Sequence, residues 1–304
     1  MEYVLETENL SKRYKHSKAL DGLSMRVPKG AIYGFVGKNG AGKTTLIRLI
    51  CGLQAPTSGS YSLYGRKYTE QGVAKARRRM GAVVESPAVY LDLSARENLR
   101  EQYRVLGIPS DEGISELLKL VDLEHTGRKK ARDFSLGMRQ RLGIAVALAG
   151  SPDFLVLDEP VNGLDPQGIV EMRELILKLN REYQITVLIS SHILDELSRL
   201  ATCYGFIDSG RMVKEISADQ LEKACKKCVR LRVSDGRLLA RKLEELGLEY
   251  SMVSGAEADV FAKVNVSQLT LALSREGCEV ISWQEREESL ESYYISLVGG
   301  EEHA

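Results

Sequence analysis

The sequence of 304 residues is 43% hydrophobic and 28% charged, a balance that excludes collagen-like, low-complexity and membrane-embedded classes and, at roughly 150 residues per domain, gives about two domains. Lysine plus arginine and aspartate plus glutamate cancel at 42 each, which removes the clustered positive excess of a nucleic-acid binder. Five cysteines, odd in number and scattered through a chain too large to need disulfide staples, fit a reducing compartment such as the cytosol.

In chain order, MEYVLETENL is acidic where a signal peptide would be basic, so none is expected. AIYGFV at 31–36 is a short apolar run. A glycine-rich turn follows, and then TTLIRLICGL, with Leu46, Ile47, Ile50 and Leu53 at helical spacing. The basic runs KARRR at 75–79 and RKKAR at 128–132 read as solvated faces. From about 92 to 150 the periods are mostly helical and read as an insertion; its LGIAVALAG, at 142–150, is far short of the ~20 residues of a membrane helix. FLVLD at 154–158 and TVLIS at 186–190 have the length of buried parallel strands. Between them PQGIVEMRELILKLN opens on a first-turn proline and reads as a crossover helix. Beyond about 216 the pattern becomes β-α-β-β-α-β, a split βαβ arrangement. A final segment places Leu290, Tyr293, Tyr294 and Leu297 on one helical face. Cys225 and Cys228 form a lone CxxC with no second pair or histidine to complete a metal site.

The segment Gly37, Lys38, Asn39, Gly40, Ala41, Gly42, Lys43, Thr44 matches G-x-x-x-x-G-K-[ST] between a predicted strand and a predicted helix, the context of a P-loop. Glycines let successive N–H groups converge on phosphate oxygens, and the helix offers its positive end to the same charge. With Thr45, this stretch is the candidate nucleotide-binding loop, which alone does not distinguish kinases, GTPases and ATPases; Lys43 is expected on the β- and γ-phosphates and Thr44 on Mg2+. FLVLDEP then delivers two carboxylates at the carboxyl end of a strand. Asp158 is suited to hold the metal through water, and Glu159 to act as base toward the attacking water.

These motifs resemble the ATP-binding cassette (ABC) family of transporter nucleotide-binding subunits over residues 1 to about 215. F-S-L-G-M-R-Q-R at 134–141 is similar to the family signature, N-G-L-D at 162–165 to its D-loop, and S-S-H at 190–192 to its switch histidine. The resemblance implies that Tyr14, ahead of Ala19 and Leu20, stacks on adenine, and that His192 contacts the γ-phosphate. It also implies a head-to-tail dimer in which Ser135, Leu136, Gly137 and Met138 meet the ATP of the opposite protomer, Ser135 capping a helix over 136–149. Asp165 is the D-loop carboxylate. Leu136 and Met138 depart from the usual glycine and glutamine of the signature. Glu85, in V-V-E-S-P, stands where the family carries the glutamine that joins Mg2+ and water to the membrane partner. That glutamate, with SLGMRQRL and a tail ending SYYISLVGG, resembles the bacitracin-export and lantibiotic-immunity branch.

The expectation is therefore an α/β P-loop ABC domain at 1–215 with a helical subdomain near 92–150, plus a small α+β domain at 216–304 for packing or dimerisation. As an ATPase using ATP and Mg2+, it would act at the cytoplasmic face of the membrane with a separate transmembrane permease and a second cassette, without nucleic acid. An ABC ATPase acting on nucleic acid, ribosome or a protein assembly is the alternative. It is disfavoured by the single P-loop and the lack of sustained heptads; a module that holds ATP without turnover is disfavoured by Glu159 and His192.

Overall fold

Strands β1 (Tyr3–Tyr14) and β2 (Ser17–Pro28) pair antiparallel, and Leu23, Met25 and Val27 bury one face of β2 at a period of two. In β1 the alternation breaks where Asn9 takes a φ of 48° and the register shifts, so that Leu10 and Ser11 are both buried, a bulge that hides the strand from a periodicity reading. The computed structural model describes residues 2–15, 17–224, 228–261, 266–286, 293–294 and 297–298.

β3 (Ile32–Val36) is buried at all five positions, as a strand covered on both faces must be. α1 (Lys43–Ile50) buries Leu46, Ile47, Leu49 and Ile50 among side chains of β1, β2 and β3. Its last turn closes when Gly52 and Leu53 donate N–H bonds back to Leu49 and Arg48 and Gly52 adopts a φ of +76°, a left-handed helix stop. Leu53, expected on the apolar face, therefore lies beyond the helix and is exposed.

β4 (Ser58–Leu63), β5 (Arg66–Lys67), α2 (Val73–Arg77) and β6 (Met80–Val83) follow. The helical region consists of α3 (Ala95–Leu106), α4 (Glu112–Leu120) and α5 (Leu136–Leu148). A capping box starts α3: Ser94 accepts from the Glu97 N–H while Glu97 accepts from that of Ser94. β7 (Phe154–Asp158), α6 (Pro166–Tyr183), β8 (Thr186–Ser191), α7 (Leu194–Ser198), β9 (Cys203–Asp208) and β10 (Arg211–Ser217) complete this unit. One sheet has the order β2-β1-β4-β5, the other β10-β9-β3-β8-β7-β6. The second is parallel except for β10. Val36 lies beside Ser191 and Asp158 beside Ser190, so β3, β8 and β7 end in one row, where open α/β sheets place ligands.

The basic runs are not simply solvated faces. Arg77 donates to the Tyr61 hydroxyl at 2.5 Å, Arg79 pairs with Asp153, Lys130 with Glu97 and Arg132 with Asp92. Their charge goes to holding neighbouring segments together.

Contacts divide the chain into Met1–Ala218 and Asp219–Ala304, so the change of pattern expected at 215/216 falls inside β10. There Glu215 accepts from the buried Tyr33 hydroxyl at 2.5 Å, and that hydroxyl occupies the space a Cβ on Gly205 would need. Burial, with the carboxylate beside it, raises the Tyr33 pKa well above the usual phenol value.

After α8 (Ala218–Ala224), the second unit runs β11 (Cys228–Val233), α9 (Gly236–Glu245), β12 (Tyr250–Ser254), β13 (Glu257–Val260), α10 (Val266–Arg275) and β14 (Val280–Arg286). Its antiparallel sheet has the order β12-β13-β11-β14, a split βαβ topology. Leu231, Leu239, Leu243, Val260 and Leu273 form its core. Tyr293 and Tyr294 are helical and buried; Leu290 and Cys225 lie outside the described residues.

Candidate nucleotide site

The loop from β3 to α1 is shaped by its glycines. A Cβ on Gly37 would lie 2.6 Å from the Ile207 carbonyl oxygen, and one on Gly42, at a φ of +112°, 2.5 Å from that of Ala19. Gly40, at +82°, has open space where a side chain would project. Lys38, Asn39 and Gly40 are exposed and Ala41 is buried. Gly42 offers no side-chain cap, so the first N–H groups of α1, at Lys43, Thr44 and Thr45, have no acceptor within the helix. Such a cradle suits a phosphate.

Lys43 is buried, its Nζ donating to the Gly37 carbonyl at 2.6 Å and the Lys38 carbonyl at 3.1 Å and lying 3.2 Å from Glu159 Oε1. The other oxygen of Glu159 is 2.8 Å from His192 Nδ1. A carboxylate only accepts, so a neutral His192 carries its proton on Nδ1 and keeps Nε2 as an acceptor. Glu159 takes a φ of +47°, a left-handed geometry that costs a non-glycine residue about 1–2 kcal/mol. Ser190 secures it: the Glu159 N–H lies 3.0 Å from Ser190 Oγ and 3.2 Å from its carbonyl, while that hydroxyl donates to Asp158 Oδ1 at 2.6 Å. Ser190, assigned no separate role from sequence, thus aligns both carboxylates; its signal is a hydroxyl at the end of an otherwise apolar strand.

Thr44, Glu85, Asp158, Glu159, Asn162, Leu136 and Gln140 line one cavity of about 360 Å³. A hydroxyl and carboxylates are hard oxygen donors that fit Mg2+. Among the described residues no cluster of three or more His, Cys, Asp or Glu is arranged to hold a metal. Glu85 is in this cavity at a φ of +60°, but Arg48 of α1 holds its carboxylate. Arg48 was not singled out from sequence, although its spacing from Thr44, one helical turn, could have suggested it.

At α5, Ser135 is the N-cap, its hydroxyl accepting from the Met138 N–H at 3.2 Å. Leu136 is partly exposed and reaches toward Gly163, where a Cβ would meet its Cδ2 at 3.2 Å; Gly137 faces Leu164. Asp165 caps α6 by accepting from the Gly168 N–H at 2.8 Å. Tyr14, at the end of β1, is 40% exposed, with its hydroxyl donating to Gln54 at 2.5 Å and Lys12 over its ring.

Glu196, on α7 one turn after His192, was also not foreseen. Its Oε2 is buried without a hydrogen-bond partner among the described residues. Burial raises its pKa above the ordinary 4.5, with Glu159 reinforcing and His192 opposing the shift. An acid raised on folding binds its proton more tightly in the native chain. Its contribution to stability is therefore full below pH 4.5 and falls as pH climbs through the folded-state pKa. Glu196→Gln is expected to remove that fall and to raise Tm at neutral pH by roughly 1–2 °C. Thermal unfolding followed from about pH 4 to 8 checks this, and an unaltered profile would count against the burial account.

The ABC transporter family model matches residues 20–162. The bacitracin transport ATP-binding protein BcrA of Bacillus licheniformis is 40% identical over 303 residues, 99% of each chain. The lantibiotic transport ATP-binding protein SrtF of Streptococcus pyogenes is 42% identical over 219 residues, 72% of this chain and 93% of that one. Among solved structures, cbiO1 from Clostridium perfringens, part of the ABC transporter complex cbiONQ, is 25% identical with a TM-score of 0.65, covering 81% of this chain and 96% of its own. The ATP-binding cassette MJ0796, solved as a dimer bound to ADP and Pi, is 25% identical with a TM-score of 0.64, covering 70% and 98%. Among the described residues no helix is long and apolar enough to cross a membrane.

Proposed function

The chain belongs to the ABC transporter family as an ATP-binding subunit, and from that premise we propose that it hydrolyses ATP with Mg2+ at the cytoplasmic face of the membrane. The energy drives a separate permease that exports peptide antibiotics of the bacitracin or lantibiotic kind. The observation that carries this reading is the joining of Lys43, Glu159 and His192 within 3.2 Å at the P-loop.

In this reading the N–H groups of Gly40 to Thr45 and the Lys43 ammonium bind the phosphates, and Tyr14 stacks on the base. Thr44, Asp158 and Glu85 would hold Mg2+, which when bound neutralises phosphate charge. Glu159 orients a water and takes its proton, while His192, held beside it through Nδ1, contacts the γ-phosphate. The preorganisation of these groups before the phosphate arrives is what makes their charge effective. In a head-to-tail pair, Ser135 and the N-terminus of α5 complete the site of the opposite cassette, and Asp165 keeps the intervening loop in register. The second unit, 219–304, serves packing or dimerisation.

The two relatives named for bacitracin and lantibiotic transport favour a transport role with this class of cargo. The test is affinity purification of the tagged chain from solubilised membranes. A multi-span permease is expected to co-purify and to raise ATP turnover on reconstitution. Recovery with ribosomes or nucleic acid, and no membrane partner, would overturn the transport role.

A further inference from the structure

The cavity holding Thr44, Glu85 and Asp158 is also lined by Gln140, in the second turn of α5, which lies within the signature-like segment but outside the four residues expected to meet the opposite ATP. It is only 5% exposed, yet its carboxamide makes no hydrogen bond among the described residues. A carboxamide brings two donors and an acceptor, and neither polar atom of Gln140 is among the buried unpaired atoms of the described residues, so both are open to the cavity. The cavity is therefore where a partner can reach this carboxamide.

Glu85 is in the complementary position. It lines the same cavity, but its side chain is 56% exposed and is drawn by the Arg48 guanidinium. Moving this carboxylate inward brings it toward Asp158 and Glu159, and like charges repel. A neutral donor lining the same cavity offsets that repulsion without introducing a cation to compete for phosphate. A carboxylate accepting from an amide N–H also makes a charge-assisted bond, stronger than an amide-to-amide one.

Resting on the ATPase reading above, we propose that Gln140 is a positioning residue for Glu85. In the nucleotide-bound chain Glu85 exchanges Arg48 for the Gln140 amide, which donates to one carboxylate oxygen and leaves the other turned toward the phosphate end of the cavity. Arg48 and Gln140 are then alternative seats for one side chain.

The test uses the full chain with a non-hydrolysable ATP analogue and Mg2+. The side-chain amide resonances of Gln140, identified by their absence in Gln140→Met, are expected to shift on nucleotide addition in wild type and to remain still in Glu85→Ala. In turnover assays Gln140→Glu, which opposes two carboxylates, is expected to lower kcat about tenfold with KM within about twofold. Exchanging the pair, Gln140→Glu with Glu85→Gln, is expected to recover most of that loss, whereas a purely structural role for Gln140 gives no such rescue. Stationary resonances in a nucleotide-bound wild type, or a double variant no better than the product of its singles, would overturn the pairing alone. A wild type that binds no nucleotide would overturn the ATPase reading and the pairing together.

Discussion

Lys43→Ala is expected to lower ATP turnover by about 10²–10³-fold, the range for deleting one preorganised donor to developing negative charge. The side chain is buried, with its Nζ already gathered by the carbonyls of Gly37 and Lys38 and by Glu159. Replacing it removes the charge meant for the phosphates and also leaves Glu159 without its cationic neighbour. Nucleotide affinity should fall as well, because the loop loses the side chain that ties its carbonyls together. Steady-state turnover with equilibrium nucleotide binding checks both effects; turnover equal to wild type would reject the P-loop assignment.

Glu159→Gln has an expected effect at least as large and separates binding from chemistry. The amide keeps the shape of the carboxylate but cannot accept the proton of water, so turnover should fall by about 10²–10⁴-fold, the usual contribution of a positioned base. ATP affinity should stay near wild type, since the loop N–H groups and Lys43 remain. If two cassettes close on ATP and hydrolysis reopens them, the variant should accumulate as an ATP-dependent dimer in size-exclusion chromatography. A variant that is both monomeric with ATP and fully active would refute the base and the dimer at once.

Most of the candidate site is legible in the sequence because its chemistry is local. Gly37 to Thr45 are contiguous, and Asp158, Glu159 and His192 follow directly on apolar runs that mark strand ends. The antiparallel sheet of the first unit is less legible, since the Asn9 bulge breaks the alternation of β1. Arg48, Gln140 and Glu196 are harder still. Each lies on a helix among ordinary helix-forming neighbours, and its meaning depends on groups distant in sequence: Arg48 meets Glu85, Glu196 lies in the field of Glu159 as well as the nearby His192, and Gln140 faces the metal-side cavity. Conversely, Leu53 fits a helical period on paper, but the left-handed Gly52 ends the helix before that position.

The order of strands in the parallel sheet has a consequence for how the chain is made. β3 is the first of that sheet to be synthesised, yet its neighbours are β8 and β9, the nearer of which begins about 150 residues later. At about 5–20 residues per second, a ribosome leaves β3 without either flank for roughly 8–30 s. During that interval five residues that end fully buried, Ile32 to Val36, have no sheet to join. The phosphate loop emerges just behind them and long before Glu159 or His192. The nascent chain therefore carries a phosphate cradle that cannot yet hydrolyse anything, and the strand that supports it is the segment most in need of shelter until β8 arrives.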